Sequence, residues 1–336
     1  MDLLRIGVVG CGAIGREHIN RITNKLSGGK VVAVSDLYVE GAHKVGDPIG
    51  ATVYSNSADL VHDPDVDAIV CTTPGFAHQE TLMQALEAGK PIFCEKPLTT
   101  SAEESLEVVE AEMAGGKRLI QVGFMRRYDK GYMQIKEMID SVAFGAPLYL
   151  RCTHWNPTVD NGYTTEMAVH DTAIHEIDVI HWLVGDDYES ARVIMPKQTQ
   201  NKNPELKDPQ LMYITCKSGI VAAIEVFVNC HFGYEINCQI VCEEGVIDLP
   251  KPAMPSYRKA GGQTTPIEQS WKNRFTHAYD RELQEWINST RKGEVNGPNA
   301  WDGLIANVTA DALVRAQTNG GQEEPIQVGP RPDFYK

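Results

Sequence analysis

The chain has 336 residues, 42% hydrophobic and 23% charged, the balance of a soluble globular protein too long for one ordinary core. A formal net charge of −14 repels polyanions, so nucleic acid and anionic membrane surfaces are poor partners. No run approaches the roughly eighteen apolar residues of a membrane span, and "MDLLRIGVVGCG" has no basic flank or small-residue cleavage site, so a cytoplasmic protein is expected.

The first elements alternate. "LRIGVVG" is a strand-type apolar run that enters the turn Gly10-Cys11-Gly12-Ala13-Ile14-Gly15, followed by a helical pattern on Ile14, Ile19, Ile22 and Leu26. A second strand, "VVAVSD", ends in Asp36, 21 residues after Gly15. Strand, glycine turn, helix, strand and terminal acid together form a dinucleotide-binding pattern. The first glycine permits a tight turn, the second lets backbone N–H groups approach a pyrophosphate, and the third allows close helix–strand packing. Asp36 suits the two hydroxyls of an adenosine ribose and would repel a 2′-phosphate, and Leu37-Tyr38-Val39 offers no cation, so NAD is expected over NADP.

"ATVYS" and "DAIVCTTP" continue as strands, then a helix over 76–88, the strand "GKPIFCEKP", a helix over 101–115 with Ser101 and Glu104 as a capping box, and the strand "KRLIQVGF". This order predicts a parallel sheet with helices on both faces, a Rossmann domain over 1–123. Ligands of such sheets lie beyond the strands' carboxyl ends, which puts Thr73, Glu95 and Lys96 beside the cofactor. Lys96 there can stabilise negative charge on a reacting oxygen.

From residue 124 the pattern changes, and an α+β domain over 124–336 is expected. A helix over 131–142 and the strand "PLYLRCTHW" precede a helix near 168–184. On that helix Asp171, His175, Asp178 and Trp182 share one face, and Ile174, Ile177, Ile180 and Val184 another. An aspartate one turn before a histidine is the arrangement of an orienter and a general base. The runs "ARVIM", "LMYITC", "IVAAIEVFVNC", "YEINCQIVC" and "GVIDL" follow, joined by Lys217-Ser218-Gly219, His231-Phe232-Gly233 and Glu243-Glu244-Gly245, which suits an antiparallel meander. One face of that open sheet would need cover, which points to oligomerisation through it. Helices over 276–290 and 299–317 complete the domain.

The eight cysteines are scattered with no C-x-x-C pair, which predicts buried free thiols and no metal site. A lyase or isomerase using a metal on His170, His175 and His181 is disfavoured, because five residues separate the first two on a helix.

The glycine turn, Glu95-Lys96-Pro97 and the Asp171/His175 helix together resemble the glucose–fructose oxidoreductase/inositol dehydrogenase/MocA family over essentially the whole length. The segments "GAIGREHINRITNKLSGG", "FCEKPL", "QVGFMRRYD", "NPTV", "MAVHDTAIHEIDVIHWLV" and "GPNAWDG" resemble its inositol-oxidising branch most. The resemblance implies catalysis by Lys96, Asp171 and His175, substrate contacts at Arg126, His154, Asn156, Asp178, Tyr234 and Tyr279, and a homotetramer. It implies oxidation of the axial hydroxyl of myo-inositol to 2-keto-myo-inositol with NAD. Another cyclic polyol or sugar (scyllo-inositol, D-chiro-inositol, glucose) is the alternative within the enzyme class, and a dinucleotide-binding sensor without turnover the alternative outside it.

Overall fold

The computed structural model describes residues 3–336. The chain forms two compact units: one holds the chain up to Met125 with Tyr279–Asn307 and Gly329–Lys336, the other Arg126–Ala278 with Val308–Val328. A single boundary after residue 123 was expected; the chain instead changes unit at 125/126, 278/279, 307/308 and 328/329. Late helices supply apolar side chains to an early core, and no local pattern announces that return.

In the first unit the elements are β1 (Leu4–Val9), α1 (Ala13–Asn24), β2 (Gly29–Ser35), α2 (Val39–Gly46), β3 (Thr52–Tyr54), α3 (Ser57–His62), β4 (Ala68–Cys71), α4 (His78–Glu87), β5 (Ile92–Glu95), α5 (Ala102–Ala114) and β6 (Ile120–Gly123). The six strands run parallel in the order β3-β2-β1-β4-β5-β6, the doubly wound order of dinucleotide-binding sheets. Ile6, Val8, Ile69, Val70, Ile92 and Phe93 are wholly buried, as expected of strands covered on both faces. Each contributes about 1.5–3 kcal/mol relative to exposure. Val9 pairs with Cys71 and Cys71 with Cys94, so Gly10, Thr72 and Glu95 follow on three adjacent strands at one edge.

Two local expectations shift. A 3-10 turn over Gly75–Ala77 precedes α4, where a continuous helix was expected. The Ser101 hydroxyl accepts from the Glu104 N–H (3.2 Å), but the Glu104 carboxylate returns to the N–H (3.1 Å) and hydroxyl (2.9 Å) of Thr100, one residue before the cap.

The second unit begins with α6 (Lys130–Asp140) and β7 (Pro147–Trp155), then a π-helical stretch over Ala168–Ala173 that leads into α7 (Ile174–Val184). Strands β8 (Tyr188–Ile194), β9 (Gln210–Cys216), β10 (Val221–Phe227), β11 (Glu235–Cys242) and β12 (Val246–Asp248) follow, then an exposed hairpin of β13 (Tyr257–Lys259) and β14 (Gly262–Thr264). Helix α8 (Trp271–Thr290) and α9 (Ala300–Ala316) come next, and β15 (Glu324–Pro325) closes the sheet. Leu283, Trp286 and Ile287 of α8 belong to the first unit's core.

The seven-stranded order is β12-β11-β7-β10-β9-β8-β15. The meander expectation therefore holds for β8, β9 and β10 and for β11 and β12, and fails between β10 and β11. Strand β7 lies between those two, parallel to β10 and antiparallel to β11. The His231-Phe232-Gly233 segment is thus no tight turn. It passes the end of β7, with the Cys230 N–H on Asn156 O (3.0 Å) and the His231 N–H on Pro157 O (3.1 Å). One sheet face is buried through Cys152, Ile214, Ile224, Cys238 and Ile240, while Leu148 and Tyr149 on β7 stay exposed.

Candidate active site

The glycine turn closes against backbone. Gly10 has φ +95°, and a Cβ there would lie 2.7 Å from the Thr72 carbonyl carbon; a Cβ on Gly15 would lie 2.1 Å from Gly10 O. Gly12 differs, since its Cβ would meet nothing within 4 Å. It caps α1 without a side-chain hydrogen bond, and the first turn of α1 carries no acid. An open backbone at an uncapped helix N-terminus suits the pyrophosphate of a dinucleotide. The Asp36 carboxylate is held at the mouth of this turn by the N–H groups of Cys11 (2.6 Å) and Tyr38 (2.8 Å). Ala13 and Ile14 form the first turn of α1. Arg16, whose guanidinium donates to Cys11 O (3.0 Å), was not singled out in the sequence, although a basic residue in a helix's first turn beside a glycine loop is a signal for anion contact.

These positions separate two effects. Gly12→Ala is expected to cost the free protein at most about 1 kcal/mol as a poorer cap and to weaken NAD binding tenfold or more, about 1.4 kcal/mol. Gly15→Ala is expected to lower stability by about 1–3 kcal/mol, because a main-chain oxygen cannot move aside as a side chain can. Thermal melts with and without NAD distinguish them; wild-type NAD affinity in Gly12→Ala would remove the pyrophosphate assignment.

At the ends of β4 and β5, Thr73 is half-buried and its hydroxyl lies 3.4 Å from Cys71 Sγ. His78, missed in the sequence, joins the two loops: its Nε2 faces Thr73 O (2.8 Å) and its Nδ1 faces Pro97 O (2.7 Å). Cys71, His78 and Cys94 bring possible ligand atoms within 4.8 Å of one another, but both imidazole nitrogens already face carbonyl oxygens, so the ring serves as a staple. The Glu95 carboxylate is buried against His18 Nε2 (2.7 Å), and Lys96, next in the chain, is half-buried. Tyr279 belongs to this same unit, with Arg21 over its ring (4.9 Å) and His18 beside it.

In the second unit Asp171 lies in the π-helical stretch and His175 in the first turn of α7. A π turn closes its hydrogen bond at i+5, so the 3.6-residue spacing applied to the sequence does not hold here. Four residues fall just short of a π turn instead of just beyond an α turn, so the spacing of Asp171 and His175 stays compatible with a shared side. The wider turn also weakens the spacing argument that placed His170 far round the helix from His175. His170 Nε2 lies 3.5 Å from an Asp311 oxygen, and burial lowers its pKa. Tyr163 anchors the stretch, its hydroxyl donating to Met167 O (2.7 Å) and lying 2.6 Å from the Thr172 hydroxyl. Asp171 is exposed and His175 buried.

Arg126 and Arg127 are adjacent in the chain. Both are turned inward. Arg126 is 1% exposed and pairs with Glu176 of α7, and Arg127 forks onto both Asp178 oxygens (Nε at 3.1 and 3.0 Å). Asp178 is therefore committed to Arg127, in addition to any ligand role. Glu176 was missed because a single acid amid isoleucines reads as one polar interruption of an apolar helix. Burial opposes its charge, yet Arg126 and His154 hold its carboxyl below the usual range. Its other oxygen lies 2.9 Å from His154 Nδ1. The His154 ring stands 6.2 Å from that of His175 and edge-on to Tyr234 at 5.8 Å. Burial pushes the Tyr234 phenol up, with the Arg126 guanidinium working against it. Asn156 is half-buried just past β7, its N–H donating to Phe227 O (2.9 Å). The second unit thus gathers Arg126, His154, Asp178, Tyr234 and His175 around α7.

A profile for an oxidoreductase family with an NAD-binding Rossmann fold matches residues 4–124, and one for that family's C-terminal alpha/beta domain matches residues 136–328. The chain is 50% identical over 335 residues to the inositol 2-dehydrogenase/D-chiro-inositol 3-dehydrogenase of Halalkalibacterium halodurans, spanning 99% of this chain and 96% of that protein. It is 48% identical over 335 residues to the inositol 2-dehydrogenase of Ralstonia nicotianae, spanning 99% of each. The crystal structure of myo-inositol dehydrogenase from Lactobacillus casei in complex with NAD(H) and myo-inositol matches with a TM-score of 0.97 at 43% identity, over 99% of this chain and 100% of that one. With both family domains matched in order and half the residues retained along the full length, the chain belongs to the glucose–fructose oxidoreductase/inositol dehydrogenase/MocA family of NAD-binding oxidoreductases.

Proposed function

We propose that this chain oxidises myo-inositol at its axial hydroxyl to 2-keto-myo-inositol, with NAD as its cofactor. The reading rests on full-length likeness to a protein crystallised with NAD(H) and myo-inositol, in a chain that carries Lys96, Asp171 and His175. NAD, when bound, supplies the hydride acceptor. His175 takes the hydroxyl proton, Asp171 orients the ring and stabilises its protonated form, and Lys96 stabilises negative charge on the reacting oxygen. Gly10, Gly12, Ala13, Ile14 and Gly15 hold the pyrophosphate, and Asp36 the adenosine ribose. Thr73 and Glu95 flank the nicotinamide. His154, Asn156 and Tyr234 contact the other hydroxyls directly; Arg126 and Asp178, already ion-paired, offer their remaining hydrogen-bonding capacity. Tyr279 is the remaining candidate contact.

The reduced-nicotinamide absorbance is followed with myo-, scyllo- and D-chiro-inositol and glucose, using NAD and NADP. The highest kcat/KM is expected for myo-inositol with NAD; no turnover of any inositol would overturn the reading. Activity on D-chiro-inositol is the second reading, favoured by the double name of the Halalkalibacterium relative.

The protein is further proposed to be a cytoplasmic homotetramer assembled through the open sheet face. Supporting this, Tyr149, on the face of β7 opposite Leu150 and Cys152, is exposed, and all eight cysteines are free and buried. Among the described residues no helix is long and apolar enough to cross a membrane. A monomer by light scattering at micromolar concentration, or recovery from a periplasmic fraction, would contradict the respective point.

A further inference from the structure

Glu176 has no part of its own in the reaction as assigned above, yet it is wholly buried, next in the chain to His175. One of its oxygens takes Arg126 Nη1 and the other faces His154 Nδ1 at 2.9 Å. Arg126 Nη2 also lies 3.0 Å from that same Nδ1. A guanidinium only donates and a carboxylate only accepts, so Nδ1 cannot satisfy both neighbours. It either carries a proton and donates to Glu176, or lacks one and accepts from Arg126.

The remaining partners decide between these. Arg126 has Glu176 for Nη1 and the Tyr234 hydroxyl within hydrogen-bonding reach. The second Glu176 oxygen has Nδ1, at 2.9 Å, as its hydrogen-bonding neighbour. An unprotonated Nδ1 would leave that oxygen facing a lone pair inside the protein, the costlier outcome for a buried anion.

We propose that Glu176 is a positioning residue that fixes the tautomer of His154, with the proton on Nδ1 and Nε2 presented as a hydrogen-bond acceptor. This rests on the reading of His154 as a contact for a substrate hydroxyl. An acceptor at that place selects a ligand that donates there, a free hydroxyl, and rejects one whose hydroxyl is methylated, oxidised to a carbonyl or replaced by hydrogen. The Arg126–Glu176 pair is at the same time nearly neutral as a unit, so it orients the ring without adding net charge beside His175.

The test has two arms. Nitrogen-15 spectra of the histidine-labelled wild-type protein, with His154 identified by its loss in His154→Gln, should show a protonated Nδ1 and an unprotonated Nε2. A protonated Nε2 on the neutral ring would overturn the proposal, and this arm needs neither turnover nor a Glu176 variant. In Glu176→Gln, whose amide can donate to Nδ1, the tautomer should shift and the inositol KM rise about tenfold or more, as for loss of one well-placed hydrogen bond. The change in kcat should be smaller and NAD affinity unchanged. A fall in kcat with KM unaltered would overturn the positioning role. If no inositol were turned over, the functional reading would fail while the spectra still decided the tautomer.

Discussion

Replacing His175 with alanine is expected to lower kcat for inositol oxidation by about three orders of magnitude, within the range for loss of a general base. NAD affinity should stay at the wild-type level, because the glycine turn and Asp36 belong to the first unit and His175 to the second. A secondary alcohol releases hydride poorly while its proton remains, so the loss falls on the chemical step. His175 is 8% exposed and its ring neighbour is His154, so truncation leaves a small cavity at the edge of the Arg126–Glu176 network without removing a member of it. Turnover assays paired with NAD titration check this. A variant within tenfold of wild type would mean that another group accepts the proton.

The second large effect is expected at Lys96. Lys96→Met keeps most of the side chain's length and removes its charge, and kcat should fall by about 10²–10³-fold, the range for losing one electrostatic stabiliser of a reacting oxygen. Lys96→Arg should restore little, since a planar guanidinium does not replace a compact ammonium at a fixed point. His78 bears on the same place, because its ring is packed between the Thr73 and Pro97 carbonyls, beside the segment that carries Lys96. Steady-state kinetics across pH for both Lys96 variants give the comparison. Unchanged kcat in Lys96→Met would leave the lysine as a cofactor or surface contact only.

Much of the first unit could be read without coordinates. Its sheet is parallel and buried on both faces, so each strand is a continuous apolar run, and the glycine turn and Asp36 report backbone constraints that are local in the chain. The second unit was less legible. The turn at His231-Phe232-Gly233 carries hairpin chemistry, but it does not reveal that β7, from before α7, lies between β10 and β11. The stretch 168–184 reads as one amphipathic helix, and its opening turn is π-helical. Asp171 and His175 were singled out from their spacing, which stays compatible with a shared side after that change. Glu176 was not found, since its meaning lies with Arg126, fifty residues earlier.

By itself the sequence determined the dinucleotide-binding half and NAD as its cofactor, and it set an acid and a histidine four residues apart at the start of one helical stretch. Only the tertiary structure decided that α8 returns to the first core, that Arg126 and Arg127 both turn inward, and that Glu176 and Asp178 receive them. The division has one physical cause. Hydrophobic periodicity and turn chemistry act between residues a few positions apart, whereas burying a charge requires a partner, and that partner is chosen by which distant segments the fold brings side by side.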